Sequence, residues 1–176
     1  IGQVRLIQAH FAYDMKGPRE NVRQQNAASG GAIMDVGCYT ASMARLVAGA
    51  AIGEPFSNPI IAHDGYRSRM ALKAEGYINP DSRVDEWSMA VARFPGDILA
   101  SLTTGIQVQV DDALRIWGTD GHIIVPNPWK PSDPPDRGEG RILLYQQGEQ
   151  APREIEVSAG GVPLYGIEAD AVARYI

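Results

Sequence analysis

The sequence predicts an α+β domain built on an open, largely antiparallel or mixed β-sheet with its helices on one side. Three observations predict it. From Trp87 onward, strand-like runs follow one another in series with few helical stretches between them, whereas a doubly wound parallel sheet alternates strand with helix. Ile106, Val108 and Val110 alternate with Gln107 and Gln109, the pattern of a sheet with one wetter face. The chain has 176 residues, 44% of them apolar, which suits one sizeable core and leaves little room for a second full domain. Residues 1–176 are therefore read as a single domain.

Taken in order, residues 4–11 read as a strand, followed by a polar loop over residues 14–29. A helix is predicted over residues 30–48. After it, Gly-Glu-Pro-Phe-Ser-Asn-Pro at 53–59 makes a turn-rich break, and residues 66–87 carry no definable period. Residues 88–94 and 98–110 read as strands joined by the Pro-Gly-Asp turn at 95–97. Residues 113–117 and 122–125 flank Gly-Thr-Asp-Gly, a compact turn between neighbouring strands. Five prolines within residues 126–140 remove ladder donors throughout that stretch and make it a loop on the sheet margin. Residues 141–147 and 153–157 add two strands. Ile167, Ala171, Val172 and Tyr175 then recur at helical spacing up to the last residue. A helix with no stop signal at one end, and a strand entered at once without an initiator Met at the other, read as a fragment of a longer protein.

Composition excludes several function classes. The net charge is −5 with a pI near 5.2 and scattered arginines, so there is no electrostatic footprint for nucleic acid or an anionic membrane surface. No apolar run approaches the ~20 residues that cross a bilayer, and no signal peptide opens the chain; a soluble, cytoplasmic protein is expected. Cys38 is the only cysteine, which rules out an internal disulfide. His10, His63 and His122 lack ligand spacing, so no metal site is expected. No dinucleotide fingerprint or P-loop occurs.

The informative stretch is Gly30 to Gly49, "GGAIMDVGCYTASMARLVAG". At about 100° per residue, Ile33, Val36, Thr40, Ala44 and Val47 gather on one side, and Asp35, Tyr39, Ser42 and Leu46 form a second stripe nearly opposite. Asp35 and Tyr39 can thus share one partner. A solvated face carrying an ordinary Asp and Tyr is the plain alternative. Against it, Asp35 lies in the first turn, where the helix dipole favours a carboxylate, and Gly30 and Gly31 allow a ligand or another backbone to come close to that end. Gly37 removes a side chain where a neighbouring helix or a flat ring would pack. Helix packing and a flexible entry loop are the competing account of the glycines.

Taken together, this stretch resembles the G-G-x-x-x-D-x-G-x-(H/Y) signature in the C-terminal half of the glucose-fructose oxidoreductase and inositol dehydrogenase family, Gfo/Idh/MocA. The likeness extends to "IGQVRLIQAHF", to the Asn-x-Arg approach in "NVRQQ", to "VDEWSMAVARFPGDILASLTTG", "LRIWGTDGHIIVPNPW" and the closing "EADAVARYI". It covers nearly the whole chain. The resemblance implies a glyceraldehyde-3-phosphate-dehydrogenase-like C-terminal domain, with the N-terminal Rossmann domain and its Glu-Lys-Pro lysine absent from this chain. It further implies NAD or NADP as cofactor, bound mainly by that other domain, a sugar, polyol or related alcohol as substrate, and homo-oligomerisation through the open sheet. Carried over residue by residue, Tyr39 falls at the catalytic His or Tyr and Asp35 at the carboxylate. Gly30 and Gly31 fall beside the cofactor, and Phe11 and Trp129 are candidates for the substrate pocket. Tyrosine rather than histidine is similar to the dihydrodiol, xylose and glucose-fructose branch. A free tyrosine titrates near pH 10, so as a base near neutrality it needs a nearby cation, which the absent lysine and the oxidised nicotinamide would supply. A non-catalytic sensor or regulatory binding protein on the same scaffold is the alternative.

Overall fold

The computed structural model describes residues 1–17, 20–59, 72–130, 139–158, 160 and 164–174. Eight strands form one sheet: β1 (Val4–Ala12), β2 (Leu72–Ile78), β3 (Asp85–Phe94), β4 (Ile98–Gly105), β5 (Leu114–Gly118), β6 (Gly121–Val125), β7 (Glu139–Gln146) and β8 (Arg153–Ser158). Their order is β2-β3-β4-β1-β5-β6-β7-β8. β1 and β4 pair in parallel, and every other neighbouring pair is antiparallel. This is the open mixed sheet of the expected α+β class. The chain itself contains no doubly wound parallel domain among the described residues.

The core forms where the long helix α1 (Cys38–Ile52) lies on β1 and β4. Alternate residues of β1, Ile7, Ala9 and Phe11, point to the helix side and are buried with Ala92, Phe94, Ile98, Ala100, Leu114 and Ile116 of the flanking strands. Val36, Thr40, Ala44 and Ala48 are the buried stripe that meets them. Small residues at a spacing of four let the helix approach the sheet closely. The helix ends at Gly53, whose φ of +80° supplies the left-handed cap that stops it. A shorter helix, α2 (Leu164–Ala173), closes the described chain.

Three elements differ from expectation. The helix begins with a π-type turn over Ile33–Gly37, in which the Cys38 N–H reaches the Ile33 carbonyl five residues back. That wider turn rotates the first residues relative to α1, so Ile33, expected on the buried stripe, is exposed. The strand expected over 98–110 ends at Gly105. Beyond it the chain folds back, with the Val108 side chain over the Gly105 Cα and Ile106 N–H bonded to the Glu86 carbonyl; Gln107 makes only an isolated bridge to Asp14, and with Gln109 it forms no alternating strand face. Finally, β2 occupies residues 72–78 within the stretch that carried no period; all seven of its residues are exposed, and an edge strand wet on both faces has no apolar alternation to show. Residues 66–71 of that stretch, 131–138 of the proline-rich loop and 175–176 of the closing helix lie outside the described residues.

Candidate active site

Strand β1 supplies the first two site residues. Phe11 and, two positions on, Tyr13 project to the same side, as alternation along a strand requires. The Tyr13 N–H is fixed to the Gly105 carbonyl at 3.0 Å. The chain then enters a one-turn 3₁₀ helix, Val22–Gln24, capped by the Asn21 side chain accepting from the Arg23 N–H at 3.0 Å. That cap turns the Arg23 side chain back to the long helix.

Both meet Asp35. Its Oδ1 accepts from Arg23 Nε at 2.7 Å, and its Oδ2 accepts from the Tyr13 hydroxyl at 2.5 Å. Burial, followed by the bond to Asp35, pushes the Tyr13 phenol up to about 12, so it is a standing donor at any ordinary pH. The same carboxylate raises the Arg23 guanidinium. One turn along the helix, Tyr39 is 52% exposed. Its ring meets Phe11 edge-on at 5.7 Å, and Phe11 stacks on Trp129 at 5.3 Å and 4°. The Trp129 indole N–H is anchored to the His10 carbonyl at 2.6 Å, which satisfies the polar end of an otherwise apolar side chain.

All of these side chains line one cavity of about 700 Å³, within the usual size of a small-molecule site. Asp35, Tyr39, Ser42 and Leu46, the stripe predicted from helical spacing, lie together on its wall, with Phe11 and Trp129 opposite. Asp35, Arg23 and Tyr13 make a polar end; Phe11, Trp129, Met43, Leu46 and Phe56 make an apolar one.

At Gly30 the close approach expected of the glycines is made by another part of the backbone. A Cβ on Gly30 would lie 2.5 Å from the Arg23 carbonyl oxygen, and one on Gly31 would strike the Asp85 carboxylate. Gly31 also holds φ at +117°, a conformation that favours glycine. The side-chain direction at Gly30 and Gly31 is thus filled by the protein's own Arg23 and Asp85, and neither glycine lines the cavity. A Cβ on Gly37 would make ordinary contact with the Thr104 methyl of β4 at 3.4 Å, so this position faces the sheet rather than a ring or another helix.

Asp85 is the residue that sequence reasoning missed at this end. No side chain within the helix caps it; instead Asp85 Oδ2, from the start of β3, accepts from the Ile33 N–H at 2.9 Å and from the Ser88 hydroxyl at 3.2 Å. From β4, the Thr104 hydroxyl donates to the Ala32 carbonyl at 3.0 Å. Tyr13 was missed too, and Arg23 was visible only as part of an Asn-x-Arg motif. Lys130, within the proline-rich stretch, also lines the cavity.

A second polar group lies behind the aromatic wall. Asp111 bonds the Arg115 guanidinium and the His10 imidazole, and Arg115 holds its carboxyl below the usual range. Asp112 accepts from the Ala12 N–H at 2.8 Å, and burial holds its carboxyl above the usual range. Cys38 is exposed and His122 stacks on Tyr145; His63 lies outside the described residues. Among the described residues no three His, Cys, Asp or Glu side chains converge as for a metal ion, and no helix is long and apolar enough to cross a membrane.

Fold and site together define an open-sheet α+β domain whose glycine-rich helix forms the wall of a ligand-sized cavity. The particular family follows from comparison: residues 1–124 match the GFO/IDH/MocA C-terminal domain, and the chain belongs to that oxidoreductase family. A Rhizobium meliloti oxidoreductase is 29% identical over 132 residues, 75% of this chain and 34% of that protein. Human trans-1,2-dihydrobenzene-1,2-diol dehydrogenase is 26% identical over 141 residues, 79% of this chain and 36% of that protein. The chain therefore spans about a third of the length of the curated relatives it matches. Among solved structures, an aldose-aldose oxidoreductase from Caulobacter crescentus shares the fold with a TM-score of 0.74 at 18% identity, covering 99% of this chain and 45% of that one. A 3-ketoreductase from Actinomadura kijaniata, in complex with NADP and TDP-benzene, does so with a TM-score of 0.70 at 21% identity, covering 98% and 46%.

Proposed function

We propose that this chain forms the substrate-facing part of an NAD(P)-dependent oxidoreductase acting on a CH–OH group of a sugar, polyol or related alcohol. The observation that carries the reading is the wall shared by Tyr39 and Asp35: a half-exposed phenol one helical turn from a doubly held carboxylate, at the border between polar and aromatic ends of one cavity. The activities of the relatives, a cyclic-diol dehydrogenase, an aldose oxidoreductase and a ketoreductase, belong to the same reaction class.

The described residues suit only one end of the cofactor. They offer no phosphate cradle, since Gly30 and Gly31 are filled and Asp85 already takes the Ile33 N–H at the helix start. The aromatic wall and the Tyr39 hydroxyl suit the reacting ring and substrate, and in this reading the nucleotide is bound mainly by an N-terminal Rossmann domain. When bound, the nicotinamide exchanges a hydride with the substrate carbon. Tyr39 handles the proton: as phenolate its oxygen takes the substrate hydroxyl proton in oxidation, and as phenol it gives that proton back in reduction. Asp35 accepts a hydrogen bond from the substrate and fixes its orientation. Phe11 and Trp129 cover the flat apolar face of the substrate ring and exclude water from the reacting bond.

A cytoplasmic setting accords with Cys38 as the only cysteine. Self-association is proposed through the outer face of β2 and β3, where Trp87, Met89 and Val91 alternate on β3 and Tyr77 stacks on Trp87. The direct test is to assay the protein as its gene encodes it for NAD or NADP reduction with a panel of aldoses, polyols and cyclic diols. Turnover of at least one supports the reading. Binding of such compounds without turnover under any cofactor supports the sensor instead.

A further inference from the structure

Strand β1 grips the start of the long helix at two points. Phe11 near the end of the strand and Tyr13 just past it meet Tyr39 and Asp35, four apart in sequence: Phe11 packs edge-on to Tyr39 at 5.7 Å, and Tyr13 bonds Asp35 at 2.5 Å. Two contacts, one at Asp35 and one at Tyr39 a turn further on, fix the helix face in rotation as well as position. Tyr13 is itself fixed, its N–H bonded to the Gly105 carbonyl. Asp35 stands inside the π-type turn, the one stretch of this helix where the regular bonding pattern does not set side-chain direction. With Oδ1 held by Arg23 and Oδ2 by Tyr13, each carboxylate oxygen retains one direction in which a substrate hydroxyl can donate to it.

We infer that Tyr13 is a positioning residue of the active site: its hydroxyl aims the Asp35 carboxylate, and through Asp35 it fixes the substrate hydroxyl relative to Tyr39. The two tyrosines divide the work. Tyr39 exchanges the proton, while Tyr13 keeps its own proton and acts only through Asp35. This rests on the function proposed above.

The test is a double-mutant cycle, Tyr13→Phe, Asp35→Asn and both, in the protein as its gene encodes it. A lost bond to a charged group predicts a fall in kcat of about tenfold for Tyr13→Phe with KM within about twofold, and no further fall when Tyr13→Phe is added to Asp35→Asn. A substrate contact made by Tyr13 itself would instead raise KM, and a general loosening of the fold would lower kcat equally in both backgrounds; either result overturns the inference, as does an unchanged kcat. Urea unfolding of the same four proteins separates this from the function reading. If no nicotinamide-dependent turnover exists, a coupling of about tenfold in the folding constant between Tyr13 and Asp35 upholds the positioning contact, and additive effects refute it.

Discussion

Asp35 sits where three parts of the chain converge, held by Arg23 from the 3₁₀ turn and by Tyr13 from the strand end. The carboxylate was legible in the sequence because its position in the first helical turn and its spacing from Tyr39 are local facts. Its partners were not, because Tyr13 is 22 residues away and Arg23 12, joined to it only by the fold. The Tyr13–Asp35 bond also has a pH signature. The Tyr13 phenol is raised from 10.0 to about 12, so between those values the unfolded chain loses this proton while the folded one keeps it. Its contribution to stability is complete below pH 10 and disappears as pH rises through 12. Thermal melts across this range should therefore show a steeper alkaline loss in the parent protein than in Tyr13→Phe; parallel curves would argue against the bond. Gly31 is the other residue with a sharp consequence. Alanine there meets both a positive φ and the Asp85 carboxylate, so Gly31→Ala should destabilise by about 2 kcal/mol or more in urea unfolding.

The long helix carries the site, yet its first turn is held from outside. Asp85 on β3 accepts from the Ile33 N–H, one of the donors a helix start leaves open, and Thr104 on β4 adds a bond to the Ala32 carbonyl, so two neighbouring strands hold the first turn. Loss of such a cap costs about 1–2 kcal/mol. Asp85→Ala should lower the urea midpoint accordingly and, because the anchored turn contains Asp35, reduce turnover as well; a variant with unchanged stability would show that the cap is dispensable. The helix itself was legible, and so were β1, β3 and the hairpin of β5 and β6, because amphipathic period and turn residues are local signals. The π-type turn was not, since it depends on packing rather than composition. Neither was the end of β4: the alternation of Ile106, Val108 and Val110 imitates a strand, but Val108 instead folds back over Gly105.

At the scale of the molecule, α1 covers the middle of the sheet and leaves both wings wet: every residue of β2 and of β8 is exposed. The open sheet was legible from the run of strands in series, whereas its strand order, with β1 inserted parallel to β4, depends on contacts that no local pattern records. The apolar outer strip on β3, with Met89 at 61% exposure, is what the proposed self-association would cover. Light scattering at micromolar concentration should show an assembly larger than one chain, and Met89→Lys should shift it toward the monomer without loss of secondary structure; a strictly monomeric parent protein would contradict the proposal. The central claim, that Tyr39 exchanges the substrate proton, is tested most directly by the turnover of Tyr39→Phe in the protein as its gene encodes it. A fall in kcat of roughly 10²-fold or more with an unchanged circular dichroism spectrum is the predicted result, and turnover equal to that of the parent would contradict it.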